Sequence, residues 1–197
     1  MKKETISHLV LIAVLIFLSA FGRLVTNQMA IYNFTAIGAS ALFSGIVIKD
    51  KRLAYLVPLA AMLLSDLFFE LFTSIQGFYG ISMAVNYGAF ILITWIGTQM
   101  KKVNTITVLL ASIGTGLLYF LISNFGTWAF QDLYPKTGAG LIQCYAAAIP
   151  FYRNDVFGSF FLNGIMSNVF YSAFLFAAYH LLQPVFARQE QDSKQLA

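Results

Sequence analysis

The chain has 197 residues, of which 59% are hydrophobic and 10% are charged, and its formal net charge is +4. Soluble domains carry about 25% charged residues, so this composition excludes an ordinary water-soluble domain and favours a surface that faces lipid. The basic residues are scattered in short loops and form no stripe, which argues against nucleic acid as a partner. The length suits a single domain.

Six apolar stretches approach the length of a membrane-spanning helix, which takes about 20 residues. In chain order they are residues 6–24, 34–48, 53–72, 78–98, 105–128 and 156–182. The second is short, so we expect it to begin in the preceding loop or not to cross straight. Pro58 lies in the first turns of the third, where its missing N–H costs least.

The first stretch follows Lys2 and Lys3, as the apolar part of a secretory signal does. It is longer than such a segment usually is, and no A-x-A cleavage pattern follows it. This favours an uncleaved signal-anchor helix.

A shorter apolar segment, residues 138–151, lies between the fifth and sixth stretches, with Pro135 before it and Pro150 inside it. It predicts a short helix that lies on the membrane or dips into it. We therefore expect an all-α integral membrane protein of about six transmembrane helices. Residues 1–187 would form a single transmembrane domain, and residues 188–197 a polar, frayed cytoplasmic tail.

The distribution of Lys and Arg predicts the orientation, because these residues mark cytoplasmic loops. With six helices and an inner N-terminus, nine basic residues lie inside: Lys2, Lys3, Lys49, Lys51, Arg52, Lys101, Lys102, Arg188 and Lys194. Three lie outside: Arg23, Lys136 and Arg153. Both termini are therefore predicted to be cytoplasmic.

With this orientation, polar side chains gather in the outer half of the helices. Asp66 lies 13 residues into the third stretch, roughly 20 Å from its inner end, and Glu70 lies one turn further on. An ionisable side chain at such a depth costs several kcal/mol unless it faces a cavity or a partner. We therefore predict an outward-facing binding cup, with the 132–155 loop as a lid. Its predicted substrate-binding residues are Asn33, Asp66, Glu70, Asn86, Asn124, Trp128, Tyr134 and Arg153.

Each of these residues also has a structural interpretation. The carboxylates could cap a helix or pair with Arg23 or Arg153, the asparagines (Asn163 among them) could join helices, and the rings could anchor the chain at the membrane interface. Ala41 and Gly45 are interpreted as a close helix contact. The outer side has four carboxylates against three basic residues. This hints at a cation or a polar neutral solute without deciding between them.

Sequence motifs for catalysis are missing, since the chain has no G-x-S-x-G, no H-E-x-x-H and no P-loop. The single cysteine, Cys144, excludes a disulfide framework and a cysteine-cluster metal site, and it is interpreted as an apolar filler. No cofactor is expected. Two rivals to a binding protein stay open: a membrane enzyme that acts on a lipid or quinone with Asp66 and Glu70 as acid–base groups, and a non-catalytic assembly subunit.

Several stretches resemble an uncharacterised bacterial family of membrane transport proteins. They are YNFTAIGASALFSG (32–45), LVPLAAMLLSDL (56–67), LYFLISNFGTWAF (118–130), LYPKTGAGLIQCYAAAIPFYRND (133–155) and GSFFLNG (158–164). Ala36 stands where that pattern has proline, and Ser123 where it has threonine.

That family is similar in plan to the substrate-binding subunits of energy-coupling-factor vitamin transporters. The resemblance implies a small-molecule uptake protein of the bacterial inner membrane, with vitamin-like solutes among the candidates and an outward site capped by loops. It also implies an ATPase energising module as a candidate partner. The first helix has Ala13 and Ala20 seven residues apart instead of the A-x-x-x-A docking pattern, so a solitary transporter also stays open.

Overall fold

The computed structural model describes residues 3–150 and 157–195, and it describes side chains within 10–150 and 157–182. This part of the chain contains helices and no strands. The seven helices are α1 (Lys3–Gln28), α2 (Ile37–Val47), α3 (Lys51–Phe72), α4 (Ile81–Gln99), α5 (Thr105–Phe130), α6 (Gly138–Ala147) and α7 (Phe160–Gln195). The all-α prediction is confirmed for these residues.

Five of the helices are long and apolar enough to cross a membrane. The qualifying spans are Val10–Gln28, Lys51–Phe72, Ile81–Gln99, Thr105–Phe130 and Phe160–Leu182. Their outer faces carry large apolar side chains such as Phe17, Leu64, Leu110 and Phe174, each about half exposed or more. An apolar outer surface of this kind is what a lipid-facing protein presents.

The second predicted stretch differs from the others. Helix α2 has only 11 residues, about 16 Å of helix, whereas the hydrocarbon core is about 30 Å thick. It lies at the centre of the bundle, in contact with α1, α3, α4, α5 and α7, and its residues 37–45 are all buried. The irregular residues 29–36 precede it. The structure thus replaces a simple second crossing with a short buried helix and a non-helical approach.

Small residues bring α2 and α4 into backbone contact. A Cβ atom placed on Gly45 would lie 2.3 Å from the carbonyl oxygen of Thr94, and one placed on Gly97 would lie 2.6 Å from that of Leu42. Neither approach leaves room for a side chain. The interpretation of a close helix contact is confirmed for Gly45, with α4 as the partner helix, and Ala41 is fully buried.

Short polar side chains start several helices, because their oxygens accept from backbone N–H groups that the first turn leaves unpaired. Asp50 accepts from the N–H of Arg52 at the start of α3. Asn104 and Thr107 form a reciprocal capping box at the start of α5. Thr137 accepts from the N–H of Gly140 and starts α6, which confirms a short helix between the fifth and last long helices.

Helix α7 is longer than the sixth predicted stretch, which ends at Leu182. It continues to Gln195, through the polar residues predicted to fray from Arg188 onward. Loss of hydropathy marks where an apolar surface ends, whereas Arg, Gln and Glu still favour helix once the lipid-facing part is over. Arg153 and Asp155 lie outside the described residues.

Candidate functional site

Two neighbouring cavities lie at the end of the bundle where α1, α3 and α5 end and α4 and α7 begin. The first, the central cavity, has a volume of about 210 Å³. The second, the α6 cleft, has about 390 Å³ and is lined partly by Cys144, Ala147 and Ala148 of α6. Four residues line both: Asn33, Tyr79, Asn86 and Tyr119.

The irregular segment before α2 forms one wall of the central cavity, through Ile31, Tyr32, Asn33 and Thr35. Asn33 has a φ of 64°, a left-handed conformation that asparagine tolerates better than most residues. Non-helical backbone is tolerated at membrane depth only where protein buries it or where it lines a cavity. The non-helical segment before α2 is therefore well placed to form a wall of a binding site.

Arg23 of α1 lines the central cavity, and Asp66 of α3 holds it there. The Arg23 Nη1 donates to Asp66 Oδ1 and to Ser65 Oγ, each at 2.5 Å. The hydroxyl of Tyr87 donates to the other Asp66 oxygen at 2.9 Å, and the Phe69 ring centroid lies 5.1 Å from the guanidinium carbon. The Arg23 side chain is 18% exposed and that of Asp66 is fully buried. Asp66 therefore acts on the cavity through Arg23.

An amide and two phenols form a polar chain across the cavities. Asn86 of α4 donates from Nδ2 to the Tyr79 hydroxyl at 3.2 Å, and the Tyr119 hydroxyl donates to Asn86 Oδ1 at 3.3 Å. The Tyr119 ring stacks on Phe90 with centroids 5.0 Å apart. Burial raises the pKa of Tyr79, which lies in the loop between α3 and α4, so its phenol stays neutral at physiological pH. The chain offers both hydrogen-bonding groups and an aromatic face.

Helix α7 supplies the opposite wall with small polar groups. Asn168 donates to the Thr115 hydroxyl at 3.3 Å, and Ser167 donates to the carbonyl of Asn33 at 3.3 Å. Gly38 of α2 is needed here, because a Cβ atom on it would lie 2.3 Å from Asn168 Oδ1. Asn163, one turn earlier in α7, donates to the carbonyl of Tyr32 at 2.7 Å. It thereby attaches the irregular segment to α7, as its interpretation as an interhelical link requires.

The structure brings four of the predicted binding residues to the cavities. Asn33 and Asn86 line both of them, while Asn124 and Tyr134 line the α6 cleft. Asn124 donates to the carbonyl of Phe120 at 2.9 Å within α5, and its backbone carbonyl accepts from the Cys144 thiol at 3.4 Å. Cys144 is 2% exposed, in accord with its interpretation as a filler, and burial raises its pKa.

The structure does not bring Glu70 to either cavity. Its side chain is exposed at the end of α3 and accepts from the N–H groups of Gly77 at 2.9 Å and Phe78 at 3.2 Å. Gly77 packs so closely on α3 that a Cβ atom there would lie 1.9 Å from the carbonyl oxygen of Asp66. Glu70 thus fastens the α3–α4 loop, a structural role that differs from the helix cap and the arginine pair considered for it.

Trp128 likewise lies beside the cavities and does not line them. Its indole N–H donates to the carbonyl of Pro135 at 2.9 Å. Lys136 donates to the carbonyls of Trp128 and Gln131, at the C-terminus of α5 where a cation complements the helix dipole. Both side chains therefore hold the loop that leads into α6. Arg153, the eighth predicted site residue, falls outside the described residues.

Sequence reasoning missed several cavity residues, Arg23, Tyr79, Tyr119 and Asn168 among them. Arg23 did leave a signal, since it is the one Lys, Arg, Asp or Glu within residues 6–24. The tyrosines left none, because Tyr in a membrane protein is most simply read as an interfacial ring.

Taken together, these features define an all-helical protein with several helices suited to crossing a membrane and a polar cavity among them. The chain belongs to a family of unknown function, DUF6580, whose model matches residues 3–191. No curated protein and no solved structure matches it.

Proposed function

We propose that the protein takes up a small molecule and binds it in the central cavity and the α6 cleft. The observation that carries this proposal is the polar lining of the central cavity. Among the described residues, that cavity is surrounded by one arginine and by amides and hydroxyls from α1, α4, α5, α7 and the 29–36 segment. Polar groups inside a membrane bundle are costly, so their convergence on an open volume favours a binding role.

The proposed orientation places the cavities on the outer side of a bacterial inner membrane. It counts α2 together with residues 29–36 as one crossing, which gives six crossings and both termini in the cytoplasm. The basic residues then divide nine inside against three outside. A solute would arrive from the side on which the cavities lie.

Helix α6 is proposed to close the site. It packs on α5 through the Tyr145 hydroxyl, which donates to the carbonyl of Leu121 at 2.7 Å, and through Cys144. Residues 131–137 connect it to α5, with Trp128 and Pro135 joined at the base. Displacement of this short helix would open the α6 cleft, and rocking of the bundle around the bound solute would deliver it inward. With no P-loop in the chain, ATP-driven uptake would require a separate energising module, and solitary transport is the other option.

The position of the carboxylates weakens the enzyme alternative. Asp66 is saturated by Arg23 and Tyr87, and Glu70 is engaged with the α3–α4 loop. Acid–base catalysis requires the two groups to reach a common substrate, and neither lines the central cavity or the α6 cleft.

The test is mass spectrometry of small molecules released from the gently purified protein. Asn86→Ala removes a side chain that lines both cavities, and Gln99→Ala changes an exposed residue at the other end of the same helix. We expect one compound in the wild type and in Gln99→Ala that is lost or strongly reduced in Asn86→Ala. If all three proteins are folded and none retains a specific compound, the uptake proposal fails, and the hypothesis of a non-catalytic assembly subunit becomes the favoured one.

A further inference from the structure

We infer that the solute carries an anionic group, a carboxylate or a group of similar geometry, which Arg23 binds in the central cavity. This inference rests on the proposed function and concerns the class of solute. It replaces the hint of a cation that the balance of charges along the chain suggested.

The first argument is the sign of the charge on the walls. Arg23 is the one Lys, Arg, Asp or Glu among the described residues that line the central cavity or the α6 cleft. Asp66, which pairs with Arg23, is fully buried and lines neither cavity. In the part of the chain that the structure describes, a cationic solute would therefore meet a guanidinium and no acidic side chain.

The second argument is the hydrogen-bonding capacity left on Arg23. A guanidinium has five N–H donors. Among the described contacts, Nη1 alone is engaged, by Ser65 and Asp66, and no partner is bonded to Nε or Nη2. A carboxylate takes two such donors in parallel, an arrangement that is stronger than neutral hydrogen bonds. The Tyr87 hydroxyl donates to the Asp66 oxygen that Arg23 does not bind. Asp66 is therefore a positioning residue, which fixes the direction of Arg23 and leaves its Nε and Nη2 donors available to a solute.

The start of α2 adds charge of the same sign. Ile37 and Gly38, its first two residues, line the central cavity. Ala36 provides no side-chain cap, and the first turn has no acidic residue. The free N–H groups at a helix start carry a partial positive charge, and this favours an anion.

The remaining walls suggest the body of the solute. The amides of Asn86 and Asn168 and the hydroxyl of Tyr79 offer neutral hydrogen bonds, and Phe90 stacked on Tyr119 offers an aromatic face. The central cavity alone has a volume of about 210 Å³. It would hold the anionic group, and a longer body would extend into the α6 cleft.

The test compares solutes that differ in charge and share a body. Benzoate, butyrate and glycerate are each measured beside the corresponding amide and amine, by the concentration dependence of thermal unfolding of the full chain in mild detergent. We expect stabilisation by at least one of the acids, with binding about tenfold or more tighter than that of its amide, and none by its amine.

The decisive variant is Arg23→Gln/Asp66→Asn, which removes both members of the pair and leaves no unpaired buried charge. Its matched control is Asp50→Asn/Arg52→Gln, which removes one acidic and one basic side chain at the exposed start of α3. We expect the first variant to weaken binding of the acid by roughly 10- to 100-fold, the usual worth of hydrogen bonds to a charged group. The control should bind as the wild type does.

Three results would overturn the inference. If amines or amides stabilise the protein as well as acids do, the solute class is wrong, while the proposed binding function stands. If no acid stabilises a folded wild type, or if the Arg23/Asp66 variant binds the acid unchanged, Arg23 is not the anion site. The retained-compound measurement then decides separately whether the proposed function survives.

Discussion

Arg23 and Asp66 each allow the other to remain inside an apolar bundle. A buried ion pair brings little net stability, because desolvation costs about as much as the attraction returns. A second role for one of the partners is a reason to keep such a pair. Here that partner is Arg23, which has unused N–H donors and lines the central cavity. Tyr87 and Ser65 complete the pair, since the Tyr87 hydroxyl donates to Asp66 and the Ser65 hydroxyl oxygen accepts from Arg23.

Loss of one partner should therefore cost far more than loss of both. We expect Arg23→Gln to destabilise the protein by about 3–5 kcal/mol, because it leaves the Asp66 carboxylate buried without its cation. The double variant Arg23→Gln/Asp66→Asn should recover most of that loss. Unfolding by SDS titration, followed by circular dichroism, measures both. A single variant as stable as the double variant would contradict this account of the pair.

At the same scale, the sequence located the polar residues but not their directions. The depth of Asp66 followed from counting along α3, and its pairing with Arg23 was one of the alternatives. Which residue faces the cavity depends on how α1 and α3 are rotated about their axes. The paired residues, Arg23 and Asp66, are 43 positions apart in the chain. Hydropathy contains no information on that rotation. From the sequence alone, the solute-binding role therefore falls to Asp66, although Arg23 is the better placed of the two.

At the scale of elements, the approach of α2 to α4 fixes the shape of the site. Helix α4 carries Asn86 and Phe90 on the cavity wall, and its C-terminal part contacts α2 through Gly97. A side chain at that contact would separate the two helices. Packing is the main force between helices in lipid, so close contact between small residues matters there more than it does in water.

Two glycines of α4 provide a matched test. Gly97→Ala adds a Cβ atom 2.6 Å from the Leu42 carbonyl oxygen, whereas Gly88→Ala meets nothing within 4 Å. We expect Gly97→Ala to destabilise the protein by about 1–3 kcal/mol through overpacking. Gly88→Ala should be neutral or stabilise it by up to about 1 kcal/mol through helix propensity. Thermal unfolding of both variants is the measurement, and equal effects would show that the α2–α4 contact adjusts freely.

Long apolar helices were predictable because length and hydropathy determine them directly. The predicted and observed bounds of α3 differ by two residues at the start and coincide at Phe72. The non-helical segment before α2 was harder to predict. Residues 29–36 include the apolar Met29, Ala30 and Ile31, so their composition resembles that of the neighbouring helices, and the difference lies mainly in the backbone conformation, as at Asn33. The site wall was thus the part of the fold that hydropathy describes least well.

At the scale of the whole molecule, α2 decides how many times the chain crosses the membrane. Its 11 residues cover about half of the hydrocarbon core. The eight residues before it, at roughly 3.3 Å each when extended, can cover the rest. If the two together count as a crossing, there are six and both termini lie inside. If α2 entered and left on the same side, there would be five crossings with the termini on opposite sides, and α1 would have to run opposite to α3. The structure instead has α1 parallel to α3, since Ile12 lies in one cluster with Ala54 and Arg23 pairs with Asp66.

The basic residues favour the first arrangement by a modest margin. Six crossings with an inner N-terminus place nine Lys and Arg inside and three outside. Five crossings do best with an outer N-terminus, which leaves Lys2, Lys3, Lys136 and Arg153 outside and the other eight inside. The two arrangements agree on the loops at residues 49–52 and 100–104 and on the C-terminus. They disagree on the direction of α1, and therefore on the side that holds the N-terminus and on the side that holds Arg23.

Reporter fusions at the two termini therefore distinguish them. We expect a fluorescent protein that folds only in the cytoplasm to be active at both the N-terminus and the C-terminus, and alkaline phosphatase, which is active only outside, to be inactive at both. Insertion of the phosphatase in the 131–137 loop is the positive control, because both arrangements place that loop outside. Phosphatase activity at the N-terminus with fluorescence at the C-terminus would overturn the six-crossing arrangement. It would also contradict the central cavity, because α1 would then place Arg23 at the inner end of the bundle, away from Asp66.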